Sequence, residues 1–352
     1  MLRNPDALLE YIDSKITDTQ MYYILLDEVQ HVAEFEDVLN SYLKIENTDV
    51  YVTGSNSRFL STDIITEFRG RGTQVHVYPL SFAEFMSVDD RHPLDAWPDY
   101  YTYGGLPHIL NIKDEEAKEN YLKELYTKVY LTDIKDRYSI RAEAELKELM
   151  QIIASSIGSP TNPSKLERTF KSVKNVTLSS RTIDTYLSYS TDAFLTEKAV
   201  RYDIKGKKYI NTLSKFYFTD MGVRNAILGF RQIEENHIME NVIYNELRMR
   251  GFSVDVGMVE TRPVGEDGKR VRKQYEVDFV VNRGNQRFYI QSAFMMPTDA
   301  KERQESASLL HIDDSFKKII IVKDHIKPKR NESGIVTIGL IDFLLNPDLL
   351  NW

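Results

Sequence analysis

Short apolar runs and amphipathic stretches alternate along the first eighty residues, and this pattern predicts an α/β arrangement. Met21–Leu26 is an apolar run that ends directly at Asp27 and Glu28. This is typical of a buried strand that carries two carboxylates to its C-terminal end. Two further runs are strand candidates with the same character: Val50–Thr53 and Gln74–Tyr78.

The middle of the chain predicts helices followed by a β-hairpin. A loop rich in Asp, Pro and Arg at 88–99 precedes Glu115–Arg137, whose apolar residues are spaced for one face of a long helix. Three shorter helices are predicted next: Leu146–Ile157, Pro163–Val173 and Ser180–Ser190. The following strands would form a hairpin: Phe194–Tyr202 and Lys208–Asn211. Three helices and a hairpin predict a winged helix-turn-helix.

From residue 236 onward the pattern changes to one helix and several strands. Ile238–Arg250 predicts a helix that ends at Gly251, as a glycine cap would end it. Four strands are predicted after it: Phe252–Val256, Gln274–Val281, Arg287–Ala293 and Ser315–Lys323. With a last helix at Ile341–Leu345, this order predicts a C-terminal α/β domain.

Composition narrows the class of protein. The 352 residues are too many for one ordinary core and predict two or three domains, while 42% hydrophobic and 28% charged residues are typical of a soluble globular protein. No apolar stretch approaches the roughly 18 residues that a membrane helix needs, so we expect a cytoplasmic protein with no membrane partner. The absence of Cys excludes disulfides, thiolate catalysis and Cys-ligated zinc.

Positive charge is concentrated in one window of an otherwise acidic chain. The net charge is −8, yet the window 163–216 holds eleven Lys or Arg and five acidic residues, a net charge of +6. Arg181 would lie on the third helix of the winged helix, and three lysines would lie at the tip of the wing: Lys205, Lys207 and Lys208. These residues predict contacts with DNA, mostly with phosphates. The alternative is a structural or protein-binding winged helix with a solvated basic face.

Several motifs occur in a fixed order in the first third of the chain. The strand ending in Asp27-Glu28 is followed by a strand ending in GSNS at 54–57, then by FRGRG at 68–72 and PLSFAEF at 79–85. Together they resemble AAA+ ATPases of the prokaryotic type that carry a C-terminal domain of unknown function. GGLP at 104–107 and ENVIYNEL at 240–247 extend this resemblance over essentially the whole chain.

The resemblance implies ATP and Mg²⁺ as cofactors. Asp27 would hold the metal as the Walker B aspartate, and Glu28 would orient or deprotonate the attacking water. Ser55 or Asn56 would face the γ-phosphate. Arg71, with Arg69 beside it, would be the arginine finger that passes between subunits of a homo-oligomer.

The phosphate-binding loop that such an enzyme needs is absent from the printed sequence. G-x-x-x-x-G-K-[ST] occurs nowhere in the 352 residues, and no Gly precedes Tyr22. In the resembling family a segment like Arg3-Asn4-Pro5 follows the P-loop helix, so Met1 is expected to be an internal methionine. We therefore expect the chain as printed to bind nucleotide weakly.

The C-terminal block resembles the PD-(D/E)xK nuclease fold, in which a helix Glu, a strand Asp and an E-x-K strand converge on Mg²⁺. Gln291 stands where that strand needs a carboxylate, and Ala293 stands where it needs the lysine. Lys301 would substitute only if its helix folded back. We therefore expect a nuclease-like fold without nuclease activity, whose remaining motif residues are Glu240 or Glu246, Glu276, Asp278 and Gln291.

These patterns predict an α/β multidomain protein in four parts. They are the C-terminal part of an AAA+ domain with a P-loop-type parallel sheet but no Walker A motif (1–88), a helical connector (89–142), a winged helix-turn-helix (143–232) and a nuclease-like α/β domain (233–352). The function expected of the complete protein is ATP hydrolysis. The alternative is a non-catalytic nucleic-acid-binding or regulatory protein with the ATPase remnant as scaffold, and an active nuclease is the least favoured.

Overall fold

The structure is a computed structural model, and it describes residues 3–54, 72–173, 178–264 and 268–351. The chain divides into two units: residues 1–77 with 190–194, and residues 78–189 with 195–352. Within the described ranges, no helix has the length and apolar character needed to cross a membrane.

The first unit contains a small parallel sheet packed on two helices. Its elements are α1 (Pro5–Asp13), β1 (Tyr22–Leu26), α2 (Phe35–Tyr42) and β2 (Thr48–Val52). β1 and β2 are parallel, with Leu26 opposite Val52. Ile24 on the inner face packs into a core with residues of both helices: Leu8, Ile12, Val38 and Tyr42. The predicted strands Met21–Leu26 and Val50–Thr53 are thereby confirmed to within two residues.

The outer face of this sheet is apolar and exposed. Tyr23 is 63% exposed, Leu25 73% and Tyr51 53%, and the two tyrosine rings lie 6.5 Å apart. Parallel sheets are normally covered on both faces. The outer face thus has the composition of a buried surface.

The strand predicted at Gln74–Tyr78 is wrong. This segment has no regular secondary structure, and Val75 and Val77 are 79% and 86% exposed. Alternating valines indicate a strand only where a neighbouring strand offers hydrogen bonds. In the described part of the chain, no sheet edge pairs with this segment.

A first group of helices in the second unit precedes its sheet along the chain. They are α3 (Phe82–Met86), α4 (Pro93–Tyr103), α5 (Glu115–Glu124), α6 (Thr132–Arg137), α7 (Glu143–Ser155), α8 (Pro163–Val173) and α9 (Ser180–Asp192). A π-helical segment, Leu125–Leu131, joins α5 to α6, so the long predicted helix is confirmed with a wide turn at its centre. The predicted loop at 88–99 is wrong in its second half, because α4 starts there with Pro93 in its first turn and buries Ala96, Trp97 and Tyr100.

One mixed sheet of eight strands forms the rest of the second unit. Its strands are β3 (Thr196–Asp203), β4 (Lys208–Phe218), β5 (Ser253–Thr261), β6 (Lys273–Arg283), β7 (Gln286–Ala293), β8 (Lys317–Val322), β9 (Lys329–Arg330) and β10 (Val336–Gly339). The spatial order is β4-β3-β5-β6-β7-β8-β10-β9. The helices between these strands are α10 (Met221–Ile227), α11 (Glu235–Met249), α12 (Asp299–Leu310) and α13 (Leu340–Leu345).

The predicted hairpin is present, but it is longer than predicted and belongs to this sheet. β3 pairs with β4 on one side and runs parallel to β5 on the other, from Arg201 opposite Val256 to Asp203 opposite Met258. One strand of the expected wing is therefore paired with β5, through residues 201–203. The predicted domain boundary at 232–233 divides two groups of strands that share one sheet.

An irregularity bends the β3–β4 hairpin. Val200 pairs with Ser214, but the next residue, Arg201, pairs with Ile210, so residues 211–213 are extra on β4. Such bulges bend a strand and turn the side chains that follow them. Lys215 comes immediately after this bend.

Helix α11 is docked on β4 through side-chain amides. The Asn241 amide accepts a hydrogen bond from the Phe218 N–H and donates one to the Phe218 carbonyl, both at 2.8 Å. Asn245 donates to the same carbonyl at 2.9 Å. The polar residues of ENVIYNEL thus fix the helix on the strand, and this places Glu240 beside Lys215.

Candidate functional site

Asp27 lies at the carboxyl end of β1, beside the residue that follows β2. The Thr53 hydroxyl donates a short hydrogen bond to the Asp27 carboxylate and accepts one from the Glu28 N–H at 3.0 Å. The Val29 N–H donates to the Thr53 carbonyl at 3.2 Å. Thr53 therefore orients the backbone N–H groups of Glu28 and Val29 and one carboxylate oxygen of Asp27.

The backbone turns sharply directly after the strand. Glu28 has φ 50° and ψ 51°, in the left-handed region, and precedes a short 3-10 turn at Val29–His31. Asp27 is exposed and Glu28 is half-buried. In open α/β sheets, ligands bind outside the carboxyl ends of the strands, which is where these carboxylates lie. The other residues predicted for this site, Ser55, Asn56, Arg69 and Arg71, lie outside the described residues.

A second group of carboxylates surrounds one buried ammonium in the second unit. The Lys215 Nζ lies 2.8 Å from Glu276 Oε1, 3.0 Å from Glu240 Oε1 and 3.8 Å from Asp278 Oδ1. The Lys215 side chain is only 3% exposed. The Tyr217 hydroxyl donates to Glu240 at 2.7 Å, and the Ser292 N–H donates to Asp278 at 2.8 Å. We call Lys215, Glu240, Glu276 and Asp278 the lysine–carboxylate cluster.

Burial and charge shift the protonation of this cluster. Burial and the Glu240 carboxylate raise the pKa of Asp278 to about 8, outweighing Lys215 and the Ser292 amide, which act in the opposite direction. Burial alone would lower the pKa of Lys215, but the surrounding carboxylates of Glu240, Asp278 and Glu276 raise it above its ordinary value. The ammonium is therefore charged at neutral pH, while Asp278 largely retains its proton.

Some of the residues predicted for a nuclease-like site lie in or beside this cluster, and others lie elsewhere. Glu240 faces it, whereas the alternative Glu246 is paired with Arg250 at 2.7 Å. Gln291 borders it and accepts from the Asp278 N–H at 3.4 Å and from Ser308 at 3.3 Å. Ala293 is buried in the hydrophobic core. Lys301 pairs with Glu305 one turn along its own helix, so it is Lys215 that supplies the cation.

The ammonium of Lys215 lies in the space between the three carboxylates of the cluster. Among the residues that the structure describes, no group of three or more His, Cys, Asp or Glu is arranged to hold a metal ion. An ammonium is a point charge with three N–H donors, and here it offsets part of the negative charge of the carboxylates and occupies the space between them. The arrangement suits a structural ion-pair network.

The residues predicted to bind nucleic acid are exposed. Lys205, Lys207 and Lys208 occupy and follow the turn between β3 and β4, where Gly206 donates its N–H to Asp203 at 2.9 Å. Arg181 is exposed in the first turn of α9, whose start is capped by the Ser179 hydroxyl. Of the eleven basic residues in the window 163–216, Lys215 is withdrawn into the cluster described above.

The GGLP segment forms a buried structural contact. The Asp220 carboxylate accepts hydrogen bonds from the Gly105 N–H at 2.8 Å and the Val223 N–H at 2.9 Å, and the Leu80 N–H donates to the Gly105 carbonyl at 2.7 Å. A Cβ on Gly105 would lie 2.2 Å from the Leu80 oxygen, so no larger residue fits. Burial raises the pKa of Asp220 to about 6, although its backbone hydrogen bonds act in the opposite direction.

Comparison with known proteins identifies two parts of the chain. Residues 1–86 match the family model described as "AAA domain", and residues 94–234 match "Domain of unknown function (DUF8612)". The "Uncharacterized protein" of Haemophilus influenzae is 33% identical over 342 residues, which cover 96% of this chain and 81% of the relative. The "Uncharacterized protein MJ1544" of Methanocaldococcus jannaschii is 28% identical over 336 residues, 91% of this chain and 73% of the relative.

A solved structure is also similar in part. "Crystal structure of protein VC1899 from Vibrio cholerae" is 14% identical, covers 99% of this chain and 80% of that one, and has a TM-score of 0.25. The chain belongs to the same family as the Haemophilus influenzae protein, and it combines an AAA-type ATPase-like module with a domain of unknown function.

Two residues that organise these sites, Thr53 and Lys215, were not among the predicted site residues. Thr53 directly follows the apolar run of the second strand, and that position at a strand end was the available signal. Lys215 lies in LSKFYF, an apolar stretch beyond Asn211, where the predicted strand ended. A lysine inside an apolar strand indicates a buried charge with partners, because such a residue is almost never fully buried unless it is paired.

Proposed function

We propose that the first unit supplies the metal-binding and water-activating carboxylates of an ATP-hydrolysing AAA module. Asp27 would hold Mg²⁺, and Glu28 would orient the attacking water. The observation that carries this proposal is the alignment of two parallel strand ends, with Thr53 orienting Asp27 and the backbone of Glu28. Mg²⁺ prefers oxygen ligands, and an exposed carboxylate that is already oriented suits it.

The exposed face of the small sheet supports the same proposal. Tyr23, Leu25 and Tyr51 form an apolar surface on a parallel sheet, the type of sheet that is covered on both faces in nucleotide-binding domains. A further layer of the ATPase module would bury this face. The proposal requires a phosphate-binding loop that the printed sequence does not contain. Ser55 or Asn56 and the arginines Arg69 and Arg71 would complete the site.

Nucleotide binding tests the need for that loop. We expect isothermal titration of the 352-residue chain with ATP and Mg²⁺ to show little or no binding, because phosphate affinity depends mainly on the loop and its helix N-terminus. Micromolar affinity would contradict this expectation.

Turnover tests the roles of the carboxylates. Where the DNA in frame before the Met1 codon encodes G-x-x-x-x-G-K-[ST], the extended protein should hydrolyse ATP. Glu28→Gln should then retain ATP and stop turnover, since its amide cannot act as the base. Glu34→Gln is a matched control beyond the 3-10 turn and should hydrolyse ATP normally. If Glu28→Gln leaves turnover unchanged, Glu28 is not the catalytic residue.

For the second unit we infer a structural rather than hydrolytic role of the lysine–carboxylate cluster. Phosphodiester hydrolysis by such a site needs an open metal position and a charge partner for the attacking water. Lys215 is bound to the carboxylates that would provide the metal position. Incubation of plasmid DNA with Mg²⁺ or Mn²⁺ should therefore give no nicking above that of an Asp278→Ala variant. Nicking that this variant loses would contradict the inference.

A further inference from the structure

An open groove of about 910 Å³ lies between the β3–β4 turn and the ends of β5 and β6, within the second unit. Its lining includes four cationic side chains, Lys205, Lys208, Arg262 and Arg272, and two carboxylates, Asp203 and Glu260. Two of the cations come from the turn predicted to bind DNA, and two come from the next hairpin. The groove thus joins basic residues that are more than fifty positions apart in the sequence.

The two arginines are held in place by one carboxylate. Glu260 accepts hydrogen bonds from Arg262 at 3.1 Å and from Arg272 at 2.6 Å. Both guanidinium side chains nevertheless remain about two-thirds exposed, at 67% and 64%. Each retains N–H donors, and such a pre-organised fork suits phosphate oxygens.

An exposed aromatic ring lines the same groove. Tyr209 follows Lys208 on β4, and it is 60% exposed. Its hydroxyl donates to Asp255 at 3.2 Å, and its ring makes an edge-to-face contact with Tyr202, with centroids 5.3 Å apart. These contacts fix the ring while leaving much of its surface accessible.

We propose that this groove binds single-stranded nucleic acid, with Tyr209 stacking on a base and the four cations contacting the backbone. A basic groove with an aromatic side chain is how proteins bind single strands without sequence preference. A base can stack on Tyr209 only when it is unpaired, which favours a single strand over a duplex. Reading of a duplex would instead use a helix in the major groove, and α9 offers Arg181 as its one basic residue.

The proposal is tested by fluorescence anisotropy with the full chain and three labelled probes: oligothymidylate, oligouridylate and a mixed-sequence DNA duplex. We expect both single strands to bind more tightly than the duplex. The ratio of the two single-strand affinities shows whether DNA or RNA is the preferred strand. Tyr209→Ala should weaken single-strand binding about tenfold. Tyr209→Phe keeps the ring, loses only the bond to Asp255, and should bind nearly as the wild type does.

Salt dependence tests the backbone contacts. The double variant Lys205→Ala/Lys208→Ala should reduce the slope of log affinity against log salt by about 1.4, since each phosphate contact contributes about 0.7 for single strands. Lys113→Ala/Lys147→Ala removes the same charge from exposed lysines outside the groove and is the matched control. It should leave the slope unchanged.

Three results would overturn the proposal. They are tighter binding of the duplex than of either single strand, an affinity that Tyr209→Ala does not change, and equal salt slopes for the groove variant and its control. A preference for the duplex would indicate that the basic turn contacts DNA in the way that the wing of a winged helix does. Circular dichroism and thermal melting establish that each variant is folded before its binding is interpreted. None of these measurements depends on ATP hydrolysis.

Discussion

Sequence motifs connect two aspartates with a metal, Asp27 directly after β1 and Asp278 within β6, but the protein surrounds them in different ways. Asp27 is exposed at the end of a two-stranded sheet, and a threonine hydroxyl orients it. Asp278 is buried beside Glu240 and Glu276, with the ammonium of Lys215 among the three carboxylates. The first arrangement leaves oxygen atoms available to a ligand. The second offsets part of its negative charge internally, with one ammonium and one retained proton.

A set of acidic residues close together is therefore not by itself evidence of a metal site. Carboxylates that are buried without a counter-ion are strongly unfavourable, so a folded protein must supply a metal, a proton or a cation. At the cluster the protein supplies both a lysine and, at Asp278, a proton. The Asp27 carboxylate needs no metal, proton or cation, because it is exposed and is solvated by water and one hydroxyl. We therefore expect the two sites to respond very differently to substitution.

The largest effect is expected from Lys215→Met, which preserves the length of the side chain and removes its charge. Breaking a buried ion pair by removing one partner costs about 3–5 kcal/mol, because the remaining charges are left uncompensated. Urea unfolding of the full chain measures this cost. Lys198→Met removes an exposed lysine from the adjacent strand and should change stability by less than about 0.5 kcal/mol.

Divalent ions provide a second test of the role of Lys215. Mg²⁺ should partly restore the stability of Lys215→Met, because an ion can then bind among the three carboxylates. It should not stabilise the wild-type cluster, where the ammonium occupies that space. Equal stabilisation of wild type and variant by Mg²⁺ would show that Lys215 does not exclude the ion.

The second effect concerns pH. The pKa of Asp278 is raised from its ordinary value of 3.8 to about 8, so between these values the folded chain keeps a proton that the unfolded chain has lost. Stability contributed by this group is therefore present at low pH and falls as the pH rises through that window. Asp278→Asn imitates the protonated form and should lose this dependence.

The control for the pH experiment removes a neighbour that does not titrate. Gln291→Met deletes the hydrogen bonds beside Asp278 and should shift the unfolding free energy by a similar amount at every pH. Asp220 contributes a change of the same sign between about 4 and 6, since its pKa is raised to about 6, and it does so in all three proteins. Parallel pH profiles for wild type and Asp278→Asn would contradict the prediction.

The smallest effects are expected at the open site. Thr53→Val deletes the hydrogen bonds to Asp27 and the Glu28 N–H and should cost about 0.5–1.5 kcal/mol. Asp27→Asn should change stability by less than about 0.5 kcal/mol, because the side chain is exposed. Thermal and urea unfolding measure both. A cost for Asp27→Asn as large as that of Lys215→Met would remove the distinction between the two sites.

Local patterns predicted much of the secondary structure for an identifiable reason. Apolar runs and amphipathic periods are set by which face of an element is buried, and they placed β1, β2, α8 and α11 within a few residues of their observed bounds. They failed at Gln74–Tyr78, where exposed valines alternate without a strand to pair with, and at α4, where Pro93 and Pro98 suggested a loop. In both cases the environment outside the segment decided its conformation.

Local sequence patterns were enough to predict that two acidic residues end an apolar strand, that basic residues gather between 163 and 216, and that the order of motifs is that of an AAA protein. These are properties of neighbouring residues. The folded chain was needed to show that Thr53 contacts Asp27, that Lys215 lies in a cluster with residues of α11 and β6, and that Tyr209 and Arg272 line one groove. Those contacts depend on strand pairing and a bulge that join distant segments, and pairing register is not encoded in any local period.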